Sequence, residues 1–262
     1  VAGGDGSVAQ RAAGAVARHC EALIEAAGPA CVAAKPQLAC FERLGAPGWA
    51  ALERVIGAAR SAGLLVIADG KRGDVPVSAA AYAQALFGST PTPWGEVEGL
   101  GVDAATLNPL LGADALEPFL SAAEERGAGA FVLVRTSNPG AADLLDVPAP
   151  ERPLHERLAE LVASAAGRLA GESGLSGLGA VVGATEPQHL GRLRELMPDS
   201  VFLLPGVGAQ GGRAEELGAA FGRHPASAIV TASRSIASAE NPGEAAEQLR
   251  ETVFSVSQAP AR

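Results

Sequence analysis

The chain has 262 residues, 48% of them apolar and 19% charged, with a formal net charge of -9 at pH 7. That length suits one large α/β unit with a substantial core, and the acid excess argues against nucleic acid or an anionic membrane as partner, since both reward clustered Lys and Arg. The opening VAGGDGSVAQ lacks the basic start and apolar run of a signal peptide and no apolar stretch reaches spanning length, so a soluble cytoplasmic protein is expected.

In chain order the patterns predict a helix over 10–27, a strand over 31–34, a helix over 49–62 and a strand over 64–68. A helix over 78–86, a long Pro/Gly-rich loop over 88–101, a strand over 104–107, a helix over 116–125 and a strand over 131–134 follow. A second long loop over 139–153 leads to a helix over 154–170, a strand over 180–182, a helix over 187–196, a strand over 201–204, a helix over 213–221 and a strand over 229–232. The strands are continuous apolar runs rather than alternating ones, as strands covered on both faces should be. The two loops read as surface excursions or lids. No linker or composition shift divides the chain, so residues 1–262 are expected to form one domain.

Seven parallel strands fit an α/β (β/α)8 TIM barrel lacking its first strand, which would precede Val1, or an open doubly wound sheet. Polar residues after strand upon strand, namely Lys35, Asp69, Asn108, Ser137, Thr185, Gln210 and Arg234, favour the barrel, whose sites collect at strand carboxyl ends. Cys20, Cys31 and Cys40 are odd in number with no CxxC pair and are expected to be reduced and structural. His19, His155, His189 and His224 show no ligand spacing, so no histidine metal site is expected.

Lys35 and Lys71 are the only lysines in a chain otherwise served by arginine, and each stands where a strand-like run meets a loop. A lysine kept in such a chain suits a task that guanidinium performs poorly, such as giving up a proton. In ADGKRGDV, Asp69 and Lys71 are two residues apart and would point the same way in extended geometry, with Asp74 following. Carboxylates within ~4–6 Å favour the charged ammonium, which fits an acid better than a base, and Lys35 would extend the row. Two plainer readings stand beside this one: a structural Asp69–Lys71 ion pair, and Asp74 as the N-cap of the next helix before Val75-Pro76.

The run PGVGAQGG holds Gly206, Gly208 and Gly211 in a formal GxGxxG spacing. As a dinucleotide fingerprint it is weak, because it lies late in the chain and AIVTAS after it lacks the acidic residue a ribose needs. A phosphate cradle after the penultimate barrel strand is the better reading, with Arg234 of TASRSI as its cation.

With ADGKRGDV, the upstream KPQLACFERLG, PGVGAQGG and the terminal SRSI, the chain resembles the orotidine 5'-phosphate decarboxylases, and most of all their longer bacterial branch. The resemblance implies a TIM-barrel homodimer that makes UMP from orotidine 5'-monophosphate with no metal or organic cofactor. It implies catalytic roles for Lys35, Asp69 and Lys71, with Asp74 given across the dimer interface. Ser78 falls near the ribose of the partner's ligand, Ser137 at the pyrimidine, and Gln210, Ser233 and Arg234 at the phosphate; Asn108, Thr185 and Pro205 complete the substrate-binding candidates. One departure is expected: the family's first strand ends in an aspartate that meets ribose and Lys35, and Asp5 in its glycine-rich surroundings is no counterpart. Two rivals remain, a magnesium-dependent sugar-phosphate decarboxylase or synthase of the same superfamily and a non-catalytic nucleotide-phosphate binder.

Overall fold

The computed structural model describes residues 6–259. Helix α1 (Val8–Ala27) opens on a capping box, in which the Ser7 hydroxyl accepts from the Gln10 N–H and the Gln10 side chain accepts from the Ser7 N–H. Strand β1 (Ala33–Ala34), helices α2 (Leu38–Glu42) and α3 (Ala46–Ser61), strand β2 (Leu65–Arg72) and helix α4 (Pro76–Leu86) follow. Then come β3 (Ser89–Thr92), β4 (Gly95–Glu98), β5 (Ala104–Leu107), α5 (Ala113–Arg126), β6 (Gly129–Arg135), α6 (Ala142–Leu145) and α7 (Leu154–Ala165). The last part holds β7 (Ser176–Val182), α8 (Leu190–Leu196), β8 (Ser200–Leu204), α9 (Gly218–Phe221), β9 (Ala228–Val230), α10 (Arg234–Ala237) and α11 (Pro242–Gln258).

Strands β1, β2, β5, β6, β7, β8 and β9 form one sheet in that order, every neighbouring pair parallel. Ala33, Ile67, Ala104, Phe131, Val181, Leu203 and Ile229, one from each strand, belong to a single apolar cluster. In a flat sheet spaced at ~4.8 Å the outer strands would stand roughly 29 Å apart. The sheet is therefore rolled around an inner core, and a larger second core fills the space between its outer face and the helices. This is a TIM-barrel type of α/β fold, and the rolling excludes the open doubly wound alternative. Among the described residues β1 pairs only with β2 and β9 only with β8, and a groove lined by Ala33 and Ile229 lies between them. Asp5 lies outside the described residues.

The seven predicted strands are all present. The loop over 88–101 holds an antiparallel hairpin, β3 with β4, turned at Pro93-Trp94; prolines among its threonines hid the strand pattern. Helix α11 was not foreseen because its apolar stripe, Ala246, Leu249, Val253 and Val256, is thin and only Ala246 on it is fully buried. Its start was legible all the same: the Asn241 side chain accepts from the Glu244 N–H and Pro242 takes the first turn. No helix among the described residues is long and apolar enough to cross a membrane.

Candidate active site

A cavity of about 660 Å³ opens at the carboxyl ends of the strands. Its wall carries Lys35, Asp69 and Lys71 on one side and Ser137, Pro205, Gln210, Ser233 and Arg234 on the other. Charge is concentrated around Asp69, which is 6% exposed. One of its oxygens accepts from Lys35 Nζ and from Gln37 Nε2 (3.3 Å), the other from Lys71 Nζ (2.5 Å) and from the Thr106 hydroxyl (3.0 Å). Thr106 in turn accepts from the Lys71 N–H at 2.9 Å. Two ammonium groups thus share one carboxylate whose remaining acceptor sites are also filled.

The pair Asp69–Lys71 does not arise from a plain extended strand. The β2–β5 register shifts between Ala68 and Arg72, and Lys71 has φ +49°, the only positive φ outside glycine among the described residues. A left-handed lysine costs on the order of 1 kcal/mol and persists only where its surroundings fix it; here its N–H is tied to Thr106 and its ammonium to Asp69. Gly73 closes the turn because its backbone runs against β5, where a Cβ would come within 2.4 Å of the Asn108 carbonyl oxygen.

Lys71 also does not lie between two carboxylates of its own chain. The Asp74 side chain accepts from the Val75 N–H at 2.7 Å, forms no ion pair among the described residues and lies outside the cavity wall. Nor is Asp74 the N-cap of α4, a place held by Val75 without a side-chain cap. Three other expected substrate contacts also stand off the wall. Ser78 is on α4, Asn108 accepts from the Leu110 N–H (3.0 Å) in its own turn, and the Thr185 hydroxyl donates to the Ser137 carbonyl (3.0 Å). Gln37, Thr106, Thr136 and Asn138 line the cavity and were not foreseen. Thr106, a polar residue fully buried in the apolar strand AATL, was the one with a legible signal.

The glycines of PGVGAQGG fold the loop onto itself. Gly208 donates to the Gly212 carbonyl, Gly211 to Gly208 and Gly212 to Gly206, so these amides are not free for an anion. The loop lines the cavity with Gly206, Val207, Ala209 and Gln210, beside the exposed Arg234, which forms no ion pair among the described residues. Ser137 Oγ donates to Gln210 Oε1 at 2.8 Å, joining the loop after β6 to the loop after β8.

The model of the orotidine 5'-phosphate decarboxylase / HUMPS family matches residues 15–249. This chain belongs to that family. It is 44% identical over 227 residues to the orotidine 5'-phosphate decarboxylase of Rhodopirellula baltica, covering 86% of this chain and 73% of the relative. It is 45% identical over 219 residues to that of Deinococcus radiodurans, covering 82% and 74%. The solved Leishmania donovani OMP decarboxylase superposes with a TM-score of 0.76 at 34% identity, over 94% of this chain and 90% of that one.

Burial alone would raise the Asp69 pKa, but the charge and hydrogen bond of Lys35, with those of Lys71, overcome it and hold the carboxyl below the usual range. A depressed carboxyl contributes stability above its unfolded pKa, about 3.9, and loses it as pH falls through the lower folded value. The stability difference between wild type and Asp69→Asn should therefore be flat from about pH 5 to 8 and shrink below about pH 4. Denaturant titrations across that range check it, and a difference that widens in acid would contradict it.

Proposed function

We propose that this chain decarboxylates orotidine 5'-monophosphate to UMP, a step of pyrimidine synthesis, with Lys71 as the proton donor. The observation that carries the proposal is one cavity with Lys35, Asp69 and Lys71 at one end and Gln210 with a free Arg234 at the other. Loss of CO₂ from C6 leaves an electron pair in the ring plane, where the ring's π system does not delocalise it. The site must then stabilise that charge directly, and an ammonium already fixed by Asp69 needs no reorganisation to do so. Lys71 then delivers its proton to C6. Asp69 faces the departing carboxylate, and Lys35 keeps Asp69 ionised. The phosphate held by Gln210 and Arg234 supplies binding energy away from the reacting carbon, which helps to orient the ring. Purified protein should consume orotidine 5'-monophosphate at the same rate with and without EDTA. Turnover only of a sugar phosphate, and only with magnesium, would favour the sister activity within the family instead.

The working unit on this reading is a cytoplasmic homodimer with shared sites, Asp74 and Ser78 reaching the partner's ligand. Supporting it, Val75, Val77, Leu110 and Leu111 are large apolar residues exposed by more than half around Asp74, a concentration that suits an isologous contact. Lys71→Ala and Asp74→Ala should each be inactive alone. After subunit exchange each mixed dimer has one site with both defects and one with neither, so activity should reappear. If exchange is confirmed and activity stays flat, Asp74 works within its own chain.

A further inference from the structure

Arg135 carries a buried charge for which the decarboxylation has no direct use. It ends β6, is 5% exposed and has a hydrogen bond on each of its three guanidinium nitrogens. Nε and Nη2 donate to the two Asp146 carboxylate oxygens at 2.9 Å each, and Nη1 donates to the Thr136 carbonyl at 2.8 Å. Asp146 follows α6, ten residues into the excursion that starts at Thr136. Beyond it, Asp146 Oδ1 is 3.1 Å from Nδ1 of buried His155, in the first turn of α7, and that nitrogen is also 2.9 Å from the Leu145 carbonyl. His189 stands edge-on to the His155 ring at 4.9 Å. The Arg135 hydrogen bonds hold the Asp146 carboxyl below the usual range, so the pair stays ionised at neutral pH. A bidentate guanidinium–carboxylate pair is among the most directional contacts available to side chains; here it fastens the far part of the excursion to the residue just before its start.

The part held most tightly is Ser137. The carbonyl before it is gripped by Arg135, its own carbonyl accepts from Thr185, and its N and Cα lie within 2.8 Å of where a Cβ on Gly183 would stand. Its hydroxyl is left facing the cavity and Gln210. A seat this close-fitting transmits a shift of the excursion directly to that hydroxyl, and misplacement by about 1 Å can cost on the order of 100-fold in rate.

We propose that Arg135, Asp146 and His155 form a latch of positioning residues that sets Ser137 at the pyrimidine end of the nucleotide site without acting on the phosphate end. The proposal rests on the functional reading given above. The test is a double-mutant cycle in kcat/KM for orotidine 5'-monophosphate, using Arg135→Met, Asp146→Asn, Ser137→Ala and their combinations, with inorganic phosphate as a competitive inhibitor. Each latch variant should lose at least tenfold in kcat/KM in the wild-type background and less than twofold in the Ser137→Ala background, with the phosphate inhibition constant within twofold of wild type throughout. Asp146→Asn keeps shape and a hydrogen bond to Arg135, so it carries the cycle if Arg135→Met does not fold. Additive losses, a silent Ser137→Ala, silent latch variants, or an equal change in phosphate affinity would each overturn the latch in an enzyme whose wild type is active. A wild type with no turnover of orotidine 5'-monophosphate would overturn the functional reading, and the latch with it.

Discussion

Lys71→Arg should abolish turnover, by at least about 1,000-fold or about 4 kcal/mol of barrier, in a protein that folds normally. Arginine keeps the positive charge and can still pair with Asp69, so the local electrostatics of folding survive. It is larger, however, and guanidinium stays protonated at any working pH, so the proton for C6 has no source. Circular dichroism and thermal melting establish folding, and steady-state rates on orotidine 5'-monophosphate give the loss. Retention of more than about a tenth of the rate, a change of only about 1.4 kcal/mol, would remove Lys71 from the role of acid.

The largest effect on stability should come from the opposite end of the barrel. Arg194 of α8 is 8% exposed and has no carboxylate partner among the described residues. Its Nε and Nη2 donate to the Ala220 carbonyl, Nη1 to Met197 and Ser200, and Nη2 also to Ser227. Its guanidinium lies 3.7 Å from the centre of the Phe202 ring. Burial lowers its pKa to about 10, so it remains charged at neutral pH. These carbonyls end α8 and α9 and flank the starts of β8 and β9, so one side chain joins four segments. Arg194→Met keeps much of the volume but strands several buried carbonyls, each costing about 1–3 kcal/mol. A total loss of about 3–5 kcal/mol is expected, or a fall in Tm of about 8–15 °C for a chain of this size. Denaturant midpoints measure it, and a loss below about 1 kcal/mol would show that water replaces the guanidinium there.

The strands were legible because β5, β6, β7 and β8 are buried on both faces, and continuous apolar runs have few other uses in a water-exposed chain. ADGKRGDV was legible for the converse reason: charges crowded at the end of such a run are costly unless something compensates them. The hairpin was not, since it carries no apolar periodicity, and α11 was not, since its apolar stripe is thin and mostly half-buried. Arg135 and Arg194 escaped notice because, in a chain rich in arginine, each looks like a solvated charge. Only tertiary structure shows that one meets Asp146 and the other meets carbonyls brought from four segments. The gap between Lys71 and Asp74 was equally invisible, since three residues of sequence say nothing of a backbone that turns left-handed on the way.

That turn sets the interests of the fold and of the chemistry against each other at a single position. Glycine adopts φ +49° without the penalty that a side chain brings, so backbone preference considered alone would place glycine at 71, in a motif that already has glycine on one side at 70 and again at 73. The lysine persists where the backbone is better off without it. The backbone preference for glycine therefore opposes the Asp69 ion pair that the ammonium makes, and a search for more stable versions of this chain that is blind to turnover weighs only those two terms at position 71.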